Sequence, residues 1–87
     1  MMGIAEAVAL TVLAEKALTD HERTEFYKKD PWSTTDAITV KITDLTDVGD
    51  IRYHVKGVNT RFNRIDYQEI KCISELKLKQ LMEDHEE

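Results

Sequence analysis

The chain has 87 residues, of which 41% are hydrophobic and 33% are charged, and its net charge is −5 at pH 7. This length suits one domain with a thin core. Small domains of this kind commonly gain further stability from self-association or from binding a partner. A disulfide within the chain is excluded because Cys72 is its only cysteine. The lone thiol fits a reducing compartment, and no stretch reaches the roughly 20 apolar residues of a membrane span, so we expect a cytoplasmic protein.

Charge is spread unevenly along the sequence. Residues 51–79 carry seven basic and three acidic residues, which gives a local charge of +4 in an acidic protein. Such asymmetry is typical of a surface for nucleic acid or for an acidic partner. A small charged domain also shows some unevenness by chance, and the sequence leaves both explanations open.

The N-terminal third predicts helix. Residues 3–18 are rich in Ala and Leu, which favour helix. Their apolar residues lie on several sides of that helix, more than one sheet covers, so we expect self-association through it. The expected oligomer-interface residues are Ile4, Val8, Val12 and Leu13. Thr19 and Glu22 match a capping box, which predicts a second helix, or a bent continuation, to about Lys29.

The predicted helical region stops at Asp30-Pro31, because the residue before a proline disfavours the helical conformation. Phe26 and Tyr27 are its expected main buried side chains. Trp32 to Asp36 then form a polar connection.

Two strands with a common buried face follow, since apolar and polar residues alternate in both. The inward positions are Ile38, Val40 and Ile42 in the first strand and Ile51, Tyr53 and Val55 in the second. They predict an antiparallel hairpin whose loop, Asp44 to Asp50, has about seven residues. The aspartates of this loop lack the spacing of a calcium-binding loop, so a solvated turn is expected.

The segment from Ile65 to Ile73 fits a third strand by its β propensity, although an acidic pattern near its start also suits a helix cap. We expect a strand to about Cys72, with a bulge where the alternation slips at Glu69-Ile70. A helix capped by Ser74 then follows. Its expected packing residues are Leu76, Leu81 and Met82.

The predicted fold class is therefore α+β in a single domain covering residues 1–87. It has an N-terminal helix or helical pair, a two- to three-stranded antiparallel sheet and a C-terminal helix. Cofactors, metals and catalytic residues are not expected, and neither is an enzyme. The sequence lacks a glycine-rich phosphate loop, and its histidines and Cys72 are scattered, unlike the paired ligands of zinc sites. Cys72 lies in an apolar run, which predicts a small buried hydrophobe.

The candidate partner-binding residues form two groups. Arg52, His54 and Lys56 share the polar face of the second strand, and Arg61, Phe62 and Arg64 follow in the next connection. Arginine and aromatic residues are enriched at the hot spots of protein interfaces. The competing account places Phe62 in the core and leaves the arginines merely solvated.

These observations predict a small, non-catalytic regulatory module that acts through protein–protein contacts, with itself or with another protein. The alternative is a nucleic-acid-binding accessory protein that uses the basic face of the Ile51–Val58 strand and the Arg61–Arg64 loop. Basic residues around an aromatic ring suit phosphate contact and base stacking. Small size and a lack of motifs also give the impression of a regulator from a phage or mobile element.

Overall fold

A computed structural model describes residues 4–85, with side chains from Leu10 to Asp84. Its elements are α1 (Ile4–Lys29), β1 (Ala37–Leu45), β2 (Ile51–Asn59), β3 (Arg64–Ile73) and α2 (Glu75–His85). The strands form one antiparallel sheet in the order β1-β2-β3. Both helices pack on one face of this sheet, and the other face is called the open face below. The α+β class is confirmed, with three strands.

The core lies between the sheet and the two helices. Its buried residues are Ala14, Leu18, Ile38, Ile51, Tyr53, Val55 and Leu78. Every second residue of β2 is buried, because β2 is the central strand. The predicted inward faces of β1 and β2 are confirmed, since Val40 lies opposite Val55 and Ile42 lies opposite Tyr53. Phe26 and Tyr27 are half-buried and pack against this core.

The helix α1 is continuous to Lys29, so of the two predicted alternatives the continuation is present and the capping box at Thr19 does not start a second helix. The Thr19 hydroxyl donates to the Glu15 carbonyl at 2.7 Å, which is a bond made inside a helix. Glu22 does not reach back to cap a new helix; it accepts hydrogen bonds from Tyr53 and Lys71 in the sheet. Burial of Glu22 therefore overrides the local capping pattern. The helix does end where Pro31 predicts.

The third strand is present, but the predicted bulge at Glu69-Ile70 is wrong. The pairing with β2 shifts next to Asp66, which is the extra residue, and it is regular from Tyr67 to Ile73. Ile70 lies on the open face and is 59% exposed. Lys71 faces the helices, at a position where the alternation of a strand normally places an apolar side chain. Its charge is tolerated there because it forms an ion pair with Glu22.

The C-terminal helix begins at the predicted cap. The Ser74 hydroxyl accepts the N–H three residues later at 3.2 Å. Leu78 is buried, and Leu81 and Met82 pack against the core. The predicted packing role of Leu76 is wrong: its side chain is 68% exposed, because it lies on the other side of the helix from Leu78.

Two smaller predictions also change. The thiol of Cys72 is exposed rather than buried, since the residue lies on the open face opposite Arg52. The loop between β1 and β2 covers residues 46–50, shorter than predicted, because β1 extends to Leu45. Gly49 has φ 88° in this loop, a backbone conformation that side chains disfavour.

Candidate binding surface

Two connecting segments meet at one end of the sheet. The Asn59 side-chain amide donates to the Thr34 carbonyl at 2.8 Å. Thr60 donates to the Asp36 carboxylate through its backbone N–H at 3.0 Å and through its hydroxyl at 2.7 Å. These bonds tie the turn between β2 and β3 to the connection between α1 and β1.

A second set of bonds supports the same end. Asp66, the extra residue of β3, accepts from the Thr35 hydroxyl and from Arg64 Nε, the latter at 2.6 Å. Arg64 also donates through Nη2 to the Thr34 hydroxyl at 3.2 Å. The Tyr27 hydroxyl donates to the Thr35 carbonyl, so α1 is joined to the network. The turn is therefore held from two sides.

Two carboxyl groups of this network are stabilised as anions. The Thr60 backbone N–H, followed by the Thr60 hydroxyl, holds the pKa of Asp36 below its ordinary value. The Thr35 hydroxyl, followed by the Arg64 side chain, lowers the pKa of Asp66. Both groups are consequently ionised at neutral pH, where they accept these bonds.

Phe62 stands at the tip of this supported turn, with 64% of the residue exposed. Its backbone N–H donates to the Asn59 side chain at 3.0 Å. The guanidinium carbons of Arg61 and Arg64 lie 5.7 Å and 5.8 Å from its ring centroid, within cation–π range. Phe62 therefore lies at the surface and not in the core, which answers the question that the sequence left open.

Trp32 is a candidate contact residue that the sequence analysis missed. It is 92% exposed and lies two residues before Thr34, whose carbonyl and hydroxyl both bond the turn. The available signal was the single tryptophan of the chain standing in a polar connection directly after Pro31. We call Trp32, Arg61, Phe62 and Arg64 together the turn site.

The predicted strand residues Arg52, His54 and Lys56 lie together on the open face. They are opposite Asp44, Lys41 and Thr39 of β1 and opposite Cys72, Ile70 and Gln68 of β3. Arg52 forms an ion pair with Asp44 at 3.0 Å. A depression of about 350 Å³ has both Lys56 and Arg64 among its lining residues. Each of the two predicted groups thus contributes one residue to this depression.

The proposed oligomer interface lies near the other end of the sheet. The side chains of Ile4 and Val8 lie outside the described residues, whereas Val12 and Leu13 are each 52% exposed. Close to them is an apolar groove of about 690 Å³, whose lining includes Leu10 and Ile42. Self-association through α1 stays a prediction.

Within the described residues, no group of three or more His, Cys, Asp or Glu side chains converges to hold a metal ion. None of the helices over residues 4–85 is long and apolar enough to cross a membrane. No protein-family model, curated protein or solved structure matches the chain. The most distinctive feature of its described surface is the set of exposed arginine and aromatic side chains on the hydrogen-bonded turn between β2 and β3.

Proposed function

We propose that this protein is a small, non-catalytic, cytoplasmic module that binds another protein through the turn site and the adjoining basic part of the open face. The observation that carries the proposal is the exposed Phe62 ring, which has two guanidinium groups within cation–π range and lies on a turn fixed by hydrogen bonds. Aromatic and arginine side chains contribute much of the binding energy at protein interfaces. A turn that is already ordered loses little conformational entropy on binding.

The chemistry of the surface indicates the kind of partner. Phe62 and Trp32 present apolar rings to solvent, and such rings bind most tightly when they enter a pocket. Arg61 beside Phe62 and Lys56 on the neighbouring strand add positive charge. We therefore expect a partner whose contact surface has an apolar pocket with acidic residues around it.

Affinity capture from the native host with matched baits tests this proposal. The baits are the wild-type protein, the Arg61→Ala/Phe62→Ala double variant and a Val48→Ala control. Arg64 is left intact because its ion pair with Asp66 supports the turn. Val48 is 82% exposed in the loop between β1 and β2, about 27 Å away along β2.

Quantitative mass spectrometry should find a partner that the wild type and the Val48→Ala bait retain equally. The double variant should lose that partner by tenfold or more, because two hot-spot side chains are removed. Thermal unfolding of each bait checks that the fold is intact. If a folded double variant captures the same proteins in the same amounts, the turn site is not the binding surface.

Nucleic-acid binding is the second candidate function, and the placement of Lys41 beside His54 and Lys56 on the open face favours it. Two other basic residues of this surface, Arg52 and Arg64, are already in ion pairs with carboxylates, which makes the protein partner our preference. We expect no binding to mixed-sequence single-stranded DNA or RNA at physiological salt. Submicromolar, salt-sensitive binding that Arg52→Glu/Lys56→Glu abolishes would instead establish this second function.

A further inference from the structure

The two edges of the sheet differ in how they are protected. At the β1 edge, the Ile42 N–H donates to a Glu15 carboxylate oxygen at 2.8 Å. The next residue, Thr43, is an extra residue in the pairing with β2, which bends the strand. The Glu15 side chain therefore uses a backbone N–H that an added strand would need. The bulge also disturbs the register in which such a strand would pair with β1.

The β3 edge is less protected. Its only irregularity in the pairing with β2 is at Asp66, so the stretch from Tyr67 to Ile73 is a regular strand. Seven of the ten residues of β3 are exposed, whereas β2 is buried at every second position. The outward N–H and C=O groups of an edge strand are available to pair with another strand. The residues along this edge determine which strand fits.

We propose that two copies of this chain pair through β3, antiparallel and centred on Ile70, to form one continuous sheet. In this register Glu69 lies opposite Lys71 of the second copy, and the same pair recurs across the two-fold axis. Ile70 lies opposite Ile70 of the second copy, and Tyr67 lies opposite Ile73. Opposite charges and apolar residues that face one another across strands stabilise a sheet.

Other registers fit less well. Centring on Glu69 places two glutamates opposite each other, and centring on Lys71 places two lysines opposite each other. A shift by a single residue places side chains that face the helices opposite side chains of the open face. The helices of the two copies then lie on opposite faces of the sheet. Centring on Ile70 is therefore the register near the middle of the strand that pairs both charges and keeps all the helices on one face.

The inward charges of β3 support this choice of partner. Charged side chains on an edge normally oppose the addition of a strand. Lys71 contacts Glu22 at 3.0 Å, and its side chain is 38% exposed. Because its ammonium group has three N–H donors, it can also donate to a second carboxylate. A second copy supplies that carboxylate from Glu69, and its Ile70 covers a side chain that is otherwise 59% exposed.

Charge reversal tests the pairing. Sedimentation equilibrium across the micromolar range should show a wild-type dimer. Glu69→Lys should weaken it by roughly tenfold or more, because two Glu–Lys pairs become two Lys–Lys pairs. Glu83→Lys makes the same change of net charge on the exposed side of α2 and should leave the dimer intact. Leu13→Glu, placed at the rival α1 interface, should leave it intact as well.

A monomeric wild type would overturn the proposal. So would a dimer that Leu13→Glu dissociates and Glu69→Lys does not, because that result assigns the interface to α1.

Cysteine cross-linking tests the register. In the Cys72→Ser/Ile70→Cys variant, the two introduced thiols belong to opposite residues with Cα atoms about 5 Å apart, so mild oxidation should join the copies. In Cys72→Ser/Gln68→Cys the two thiols lie about 14 Å apart along the strands and should not react. Equal cross-linking of both variants, or none in either, would contradict the register.

Discussion

Glu22 is a buried carboxylate that joins α1 to two strands. It is 7% exposed, and it accepts from the Tyr53 hydroxyl at 2.9 Å and from Lys71 Nζ at 3.0 Å. Burial, followed by the hydrogen bond to Glu22, raises the pKa of Tyr53, so its hydroxyl stays protonated and remains a donor. Replacing Glu22 with alanine leaves that hydroxyl buried without an acceptor.

The expected loss of stability follows from these contacts. A buried polar group without a partner costs about 1–3 kcal/mol. Lys71 is partly exposed, so the loss of its ion pair adds only about 1 kcal/mol. We therefore expect Glu22→Ala to lower the free energy of unfolding by about 2–4 kcal/mol, or the melting temperature by at least about 8 °C in a domain of this size.

Urea unfolding followed by circular dichroism measures this loss, with Glu25→Ala as the matched control. Glu25 lies on the same helix and makes only a 3.9 Å ion pair with Lys28, so its replacement should cost less than about 0.5 kcal/mol. In a Tyr53→Phe background, Glu22→Ala should cost less, because no hydroxyl is left without an acceptor. Equal effects of Glu22→Ala and Glu25→Ala would refute the reasoning.

Three further predictions concern the sheet and the turn site. A Cβ at Gly57 would lie 2.2 Å from Tyr67 Cε1, so Gly57→Ala should lower the free energy of unfolding in urea by about 1–3 kcal/mol. In a Tyr67→Ala background the same substitution should cost little, and a stabilised Gly57→Ala protein would contradict this packing. Hydrogen bonds from Thr60 lower the pKa of Asp36 in the folded protein from its usual value of 3.8. The Asp36 carboxylate therefore stabilises the fold above about pH 3.8, and this stabilisation is lost as the pH falls toward the pKa of the folded state. The protection of the Thr60 amide against hydrogen exchange, taken relative to the intrinsic exchange rate at each pH, should therefore fall below about pH 4 in the wild type and change less with pH in Asp36→Asn; unchanged protection of that amide in acid would refute the link. Phe62→Ala should unfold within about 0.5 kcal/mol of wild type because the ring is exposed, and a much larger loss would place the ring in the core.

The elements with one buried and one solvated face were predictable from the sequence. The alternation in β1 and β2 is clear because the inward apolar residues of both strands belong to the core or pack against it, namely Ile38, Val40, Ile42, Ile51, Tyr53 and Val55. The end of α1 shortly before Pro31 and the start of α2 directly after Ser74 follow from backbone chemistry that acts within a few residues. The face that carries Arg52, His54 and Lys56 follows from the same alternation.

The features that the sequence did not predict depend on distant contacts. Glu22 resembles a cap until Tyr53 and Lys71, 31 and 49 residues away, are brought beside it. The irregularity of β3 is hard to place because an edge strand exposed on both sides has weak alternation. Trp32 lacks a local pattern; its segment is tied to the turn by the bond between Asn59 and Thr34, which the sequence does not show.

Site-specific photo-crosslinking in host cells tests the proposed function most directly. A benzophenone amino acid replaces Phe62 in one protein and Val48 in another, and both are irradiated in living cells. We predict that position 62 cross-links a distinct partner protein and that position 48, about 27 Å away along β2, does not. A partner captured from position 48 and not from position 62, or no protein captured from position 62, would contradict the assignment of the turn site as the binding surface.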